Sequence, residues 1–399
     1  MRLSKTQLGL VVALLVGNAI ILYSDFRWVW LRFPAALALM FGLPGWAWLP
    51  PLGWLQTRRG LERMVLVVGL SSLLSATALF IALFVPGPFT ETPALIALNL
   101  TILSGLVFQL GVFHLSRNEG RSWGDTPQAP RPAALFDSLE WPSRTVLLIL
   151  LVILAVAAVT RLTRLGYAEF HEDELENMRL IIRAYKGEEY APFLDSKGPI
   201  HWLLPAGLWY LNGWINEGIA RTPMLITSLL LIPTMYVLGR RLSNERDSVG
   251  LAAAGLVALN GFYVAYARHV ENQSLIVFWG ALAMWLVYRY YGEDRPHFLI
   301  WVALALAVGL IAHPDVLLYL PVFGYVIWLK LWSDRPARRA HWPWLLVAGL
   351  LWGGLAGLFY IPYLTDPAIN LVYQYFGEAR VGTSLFYNRV ANIFDQDQL

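Results

Sequence analysis

The stretch Tyr167–Tyr190, YAEFHEDELENMRLIIRAYKGEEY, places a histidine and a knot of carboxylates directly after an apolar run, TVLLILLVILAVAAVTRL. Three kinds of chemistry fit such a knot: a helix cap, a metal site and a catalytic base. The apolar positions Leu175, Met178, Ile181, Ile182 and Tyr185 keep helical spacing, with Glu174, Asn177, Arg179 and Arg183 off that face. The pattern predicts an amphipathic helix lying on a membrane surface. Asp173 and Glu176 fit a capping box at its start, and acids in a first turn suit the helix dipole in any case. The segment HEDEL fails as a metalloprotease motif, because Leu175 stands where the second histidine is required. His171, His201, His269 and His313 have no metal-ligand spacing, and interfacial hydrogen bonding is the simpler reading of each. No cofactor is required by these residues, and a divalent metal is allowed.

A catalytic reading also needs cations beside a leaving group. Lys197 in DSKGPIHW, Arg221 in GIARTPML and Arg268 in YARHVEN are the candidates. Each has a plainer reading as a side chain snorkelling to lipid headgroups. For Arg268, followed by His269 and Glu271, the plainer reading is an Arg–Glu pair.

The elements that must position these residues are membrane helices. Of 399 residues, 57% are hydrophobic and only 14% charged, against about 25% charged in soluble proteins. The expected fold class is an all-α polytopic membrane protein. The net charge of +3 is spread over loops, which argues against a nucleic-acid arm. The absence of cysteine excludes disulfide and thiol chemistry. The 18 tryptophans fit two interfacial belts. The N-terminal apolar run lacks a small-residue cleavage site and is read as a retained helix. At about 20 apolar residues per span, eleven candidates emerge: 8–23, 31–49, 64–85, 93–115, 145–165, 222–239, 251–267, 274–291, 298–312, 316–332 and 344–364. Outer-face juxtamembrane helices complete the expected architecture.

Charge parity orders these spans. With the N-terminus cytoplasmic and 200–211 kept in the interface, Arg58/Arg59, Arg240/Arg241 and Arg338/Arg339 all lie inside, as cytoplasmic basic residues should. If 200–211 crossed, the later pairs would be outside, so it reads as a juxtamembrane or re-entrant helix. The division is then a four-helix N-terminal membrane module (1–116), a polar, Pro-rich cytoplasmic linker (117–144), a core (145–365) and an outer-face segment (366–399). The long loop 166–220, VAYARHVENQS and AHPDV all reach the outer face, and their convergence there is the main functional signal.

The order of motifs resembles the GT-C superfamily of membrane glycosyltransferases over roughly residues 145–365. An outer Asp-Glu opens an amphipathic segment that ends in AYKGEEY. Then come KGPIHWLLPAGLWYL, ARTPMLITSLLLIPTMYVLGRRL, GLAAAGLVALNGFYVAYARHVENQSLIVF and GLIAHPDVLLYLP. The groups it resembles are the protein O-mannosyltransferases, the aminoarabinose transferase of lipid A and bacterial dolichyl-phosphate-mannose-type enzymes. Asp173 matches the family's outer-loop catalytic aspartate and Glu174 the neighbouring acid. Lys197 and Pro199 match a Lys-Pro-Pro motif in which Gly198 replaces the first proline. Arg221 matches the arginine opening the next span, and Arg268 that of a Ser-Arg-Tyr motif, preceded here by Ala267. Gln273 stands where relatives often carry an acid, with Glu271 as its substitute. His313-Pro314 stands where relatives have Lys-Pro. The end, VANIFDQDQL, falls where relatives commonly continue.

The resemblance implies sugar transfer from a polyprenyl-phosphate donor to a protein, lipid or glycan acceptor on the extracytoplasmic face of the plasma (inner) membrane. Asp173 would be the base of one inverting displacement, with Lys197, Arg221 and Arg268 on the donor phosphate. His171, His269, Glu271 and His313 are accessory, and Glu176 is the structural acid. Residues 222–332 would wall a lipid-tail groove. Two rivals stand beside this reading. One is a transporter or flippase of a lipid-linked substrate, which would tend to place ionisable residues at mid-membrane. The other is a non-catalytic scaffold on a transferase fold.

Overall fold

Long apolar runs with internal backbone hydrogen bonding leave helices as the economical fold for this sequence in lipid. The computed structural model describes residues 5–24, 28–49, 60–119, 141–195, 197–333 and 335–366, and every regular element among them is helical. The order is α1 (Lys5–Tyr23), α2 (Val29–Phe41), α3 (Leu43–Trp48), α4 (Gly60–Leu83), α5 (Glu91–Glu119), α6 (Arg144–Leu162), α7 (Glu172–Tyr185), α8 (Ile200–Asn212), α9 (Glu217–Leu242), α10 (Asp247–Leu259), α11 (Gly261–Tyr266), α12 (Gln273–Glu293), α13 (Phe298–Ala312), α14 (Leu320–Ser333) and α15 (Arg335–Thr365). Among the described residues nine segments are long and apolar enough to cross a bilayer. The other two expected spans correspond to α10 and α13, at 13 and 15 residues.

Two single residues break expected spans. Gly42 separates α2 from α3, and Asn260 separates α10 from α11. The Asn260 side chain accepts the Phe262 and Tyr263 N–H groups, so it caps a new helix. The expected linker falls largely on residues 120–140, and the C-terminal segment beyond Asp366 falls on 367–399; both lie outside the described residues.

One hydrophobic core runs from Leu10 to Tyr363, centred on buried Trp202, Phe278, Trp279, Trp285 and Phe298. Lipid solvates leucine as well as a neighbouring helix does, so association depends on close packing. At the α9–α10 contact, a Cβ on Gly250 would stand 2.6 Å from the Tyr236 carbonyl oxygen. Leu15 of α1, Leu148 of α6 and Leu350 of α15 point outward from the bundle.

Contacts at helix ends sort into two faces. On the first, the Phe89 N–H donates to the Ala184 carbonyl at the end of α7 (2.9 Å). There too Arg32 of α2 reaches the Leu211 carbonyl of α8 (3.0 Å) and Glu91 of α5 (3.1 Å). On the second, Arg241 of α9 pairs with Glu62 of α4 (2.9 Å), and Asp294 meets Lys330 of α14 (3.0 Å) and His341 of α15 (3.3 Å). Helix α8 begins beside α7 and ends at Arg32, so both its ends belong to the first face. It runs within that layer, buried at every residue but Trp209, against α2, α4, α5, α7, α9 and α13.

Candidate functional site

Helix α7 starts earlier than its apolar spacing predicts, and its cap is not the expected one. His171 is the N-cap: its Nδ1 accepts the Asp173 N–H at 3.3 Å, and Glu174 accepts the His171 N–H at 2.9 Å. The Asp173/Glu176 box is therefore replaced by His171/Glu174, with the same three-residue spacing two positions upstream. Glu176 is exposed and pairs with Arg179 at 3.0 Å, so Glu174 takes the structural place expected of Glu176.

The cause is Arg221 at the start of α9. Its Nε and Nη2 donate to the two Glu174 oxygens at 2.9 and 2.7 Å. Its remaining N–H groups go to the carbonyls of Leu165, Ala168 and Glu169. All five guanidinium donors thus serve the protein. Glu174 is wholly buried and also accepts the Val270 N–H at 2.8 Å, with His269 Nδ1 at 3.7 Å. Burial would raise its pKa, but the Arg221 hydrogen bonds and the N–H donors of His171 and Val270 hold it below the usual range. Asp173 stands beside this fixed residue with its own side chain exposed, 3.8 Å from His171 Nδ1.

Asp195, Lys197 and Gly198, ahead of α8, build a second cluster. Lys197 Nζ lies 3.1 Å from Glu271, which is nearly buried. Asp195 accepts the Lys197 N–H at 2.9 Å and lies 3.1 Å from His201 Nε2. Burial would raise the Asp195 pKa; the nearby His201 and Lys197 outweigh it and hold it low. Gly198 adopts φ +104°, and a Cβ there would lie 2.0 Å from the Ile311 carbonyl oxygen. Neither proline nor any other L-residue fits without strain, which explains the departure from Lys-Pro-Pro. The same contact brings His313 into the cluster. His313 accepts the Asp315 N–H at 3.1 Å, and burial, together with the charges of Lys197 and His201, lowers its pKa against the opposing pull of Asp315 and Asp195.

The clusters are joined through Asn177 of α7, which donates to the Val270 carbonyl at 2.8 Å and meets His201 Nε2 at 2.9 Å. Asp195, Asn177 and His201 were not singled out in the sequence for this role. Asp195 stands two residues before the candidate lysine, and that adjacency was the available signal.

Arg268 is anchored at the end of α6. It donates to the Thr160, Thr163 and Arg164 carbonyls at 3.0, 2.8 and 3.3 Å, capping the C-terminal end of α6. Buried Arg161 lies near the same end, donating to Ser228 Oγ and to the Val257 and Ala258 carbonyls.

A cleft of about 880 Å³ opens at the other end of α7, between residues 83–89, 184–193, the 353–362 part of α15 and Asp366. None of residues 222–332, the expected groove wall, lines it. Among the described residues no three His, Asp or Glu side chains converge to hold a metal.

No curated protein and no solved structure matches the chain. One described family matches, over residues 196–356. That stretch contains Lys197, Arg221, Arg268, Glu271 and His313 and begins after α7. Residues 196–356 are similar to the family described as dolichyl-phosphate-mannose-protein mannosyltransferase, a GT-C family domain.

Proposed function

We propose that this protein moves a sugar from a polyprenyl-phosphate donor to an acceptor hydroxyl at the extracytoplasmic face of the plasma membrane. The site face is then the outer one and the N-terminus is cytoplasmic. The acceptor is a protein, lipid or glycan, and no cofactor is required. The observation that carries the reading is the exposed Asp173 carboxylate, set on a helix turn that buried Glu174 and Arg221 lock in place.

In this reading Asp173 takes the proton of the acceptor hydroxyl as its oxygen attacks the anomeric carbon. The bond from that carbon to the phosphate oxygen breaks, the configuration inverts, and polyprenyl phosphate leaves with the electron pair. The charge growing on that phosphate needs donors. Lys197 and the outward side of Arg268 provide them, with His313 and His269 as accessory groups. Arg221, with its donors engaged, acts by fixing Glu174.

The test compares wild type and Asp173→Asn using polyprenyl-phosphate mannose and a hydroxyl acceptor. A general base contributes about 10²–10⁴ in rate, so turnover should fall at least about 100-fold while donor binding and thermal stability hold. Equal turnover removes Asp173 as the base. Donor translocated across vesicles without sugar transfer favours the transporter.

A further inference from the structure

We propose that Asp195 and His201 are positioning residues for Lys197, coupling that lysine to the helix turn that carries Asp173. The inference rests on the sugar-transfer reading above and concerns groups that never touch the substrate.

The argument begins with one carboxylate. Asp195 Oδ1 accepts the backbone N–H of Lys197 at 2.9 Å, and Oδ2 lies 3.1 Å from His201 Nε2. The loop that presents the lysine is thereby tied to the first turn of α8. The Asn177 amide orientation follows from its Nδ2 donating to the Val270 carbonyl, which leaves Oδ1 facing His201 at 2.9 Å. Both neighbours of His201 Nε2 are acceptors, so that nitrogen carries the proton. Val270 in turn donates its N–H to Glu174 at 2.8 Å.

A hydrogen-bonded path therefore runs Asp195–His201–Asn177–Val270–Glu174, from the neighbourhood of the lysine to the residue beside Asp173. His201, Val270 and Glu174 are wholly buried and Asn177 nearly so. Such a network is strengthened by its low-dielectric surroundings and has little freedom to rearrange. Glu271, next to Val270, holds the lysine's other end.

His201 Nδ1 supplies a second line of argument, because it is buried with no hydrogen-bond partner. A residue kept for packing alone would avoid that cost. A histidine here makes sense if its Nε2–H is the function retained, and that donor aims at Asn177 and Asp195.

Two substitutions at one position separate the donor from the ring. In His201→Gln the amide nitrogen takes the place of Nε2; in His201→Asn the side chain is too short to do so. The full chain, reconstituted in lipid, is assayed with polyprenyl-phosphate mannose. Asp195→Asn and His201→Asn should raise KM for this donor about 10- to 100-fold, the scale of displacing a binding group by an ångström. Their kcat should fall as well, because Lys197 also meets the charge growing on the leaving phosphate. His201→Gln should recover most of the loss, which a purely structural role for the ring would not allow.

His201→Gln as defective as His201→Asn overturns the inference, as does wild-type KM in all three variants. If Asp195→Asn fails to fold, the His201 pair still decides. A wild type that neither turns over nor binds polyprenyl phosphate removes the sugar-transfer reading and this inference with it. Normal wild-type turnover with unchanged variant kinetics removes the inference alone.

Discussion

Glu174 and Arg221 stabilise the site only as a pair. Breaking a buried ion pair by removing one partner costs about 3–5 kcal/mol, because the other charge stays buried and uncompensated. Glu174→Gln should therefore lower the melting temperature, measured by thermal unfolding in detergent. The pH dependence has a definite sign. The folded Glu174 carboxyl lies below its unfolded value, so its contribution is complete above about pH 4.3, the ordinary glutamate pKa, and is lost as pH falls through the depressed folded value. Wild type should lose this increment in acid and Glu174→Gln should not; parallel acid limbs would refute the assignment. The sequence displayed the acids but not their roles. Asp173/Glu176 and His171/Glu174 have the same spacing, and the choice between them is made by Arg221, 47 residues away from Glu174. Asp195, Asn177 and His201 were harder still to see, since the Asn177–Val270 contact spans 93 residues and no local pattern announces it.

At the scale of elements, the apolar runs fixed the helices closely, because in lipid a run of the right length has no alternative fold. The expected 298–312 span is α13 itself, and 145–165 differs from α6 by a few residues. The breaks at Gly42 and Asn260 were not visible, since both sit inside continuous apolar stretches. Charge parity makes α8 a juxtamembrane or re-entrant helix, and the structure packs it against α2, α4, α5, α7, α9 and α13. Its burial on all sides comes from neighbours that hydropathy cannot reveal. Gly198 is the element-scale hinge of the site, where the lysine loop rests against the end of α13. Gly198→Ala should cost at least about 1–3 kcal/mol, the scale of a non-glycine residue forced into a strained backbone region, and should also weaken donor binding by displacing Lys197. An unchanged melting temperature together with unchanged donor affinity would count against the close approach to Ile311.

For the molecule as a whole, the alternation of faces is open to a direct test because the chain contains no cysteine. Glu188 is exposed on the site face, after α7, and Ser243 follows α9 on the face of the Arg241–Glu62 pair. In intact cells, Glu188→Cys should react with a membrane-impermeant maleimide, whereas Ser243→Cys should react only after permeabilisation. The reverse pattern would invert the proposed orientation. One further consequence concerns Arg161 and Arg268. Arginine keeps its charge in proteins, and the acceptors of these two at the end of α6 are hydroxyls and backbone carbonyls, all neutral. Lys197 and Arg221 are cancelled by Glu271 and Glu174; this pair is not. A low-dielectric wall focuses such a surplus outward. Among the described residues the end of α6 is thus a local patch of positive charge, able to draw an anionic headgroup towards it before any contact forms.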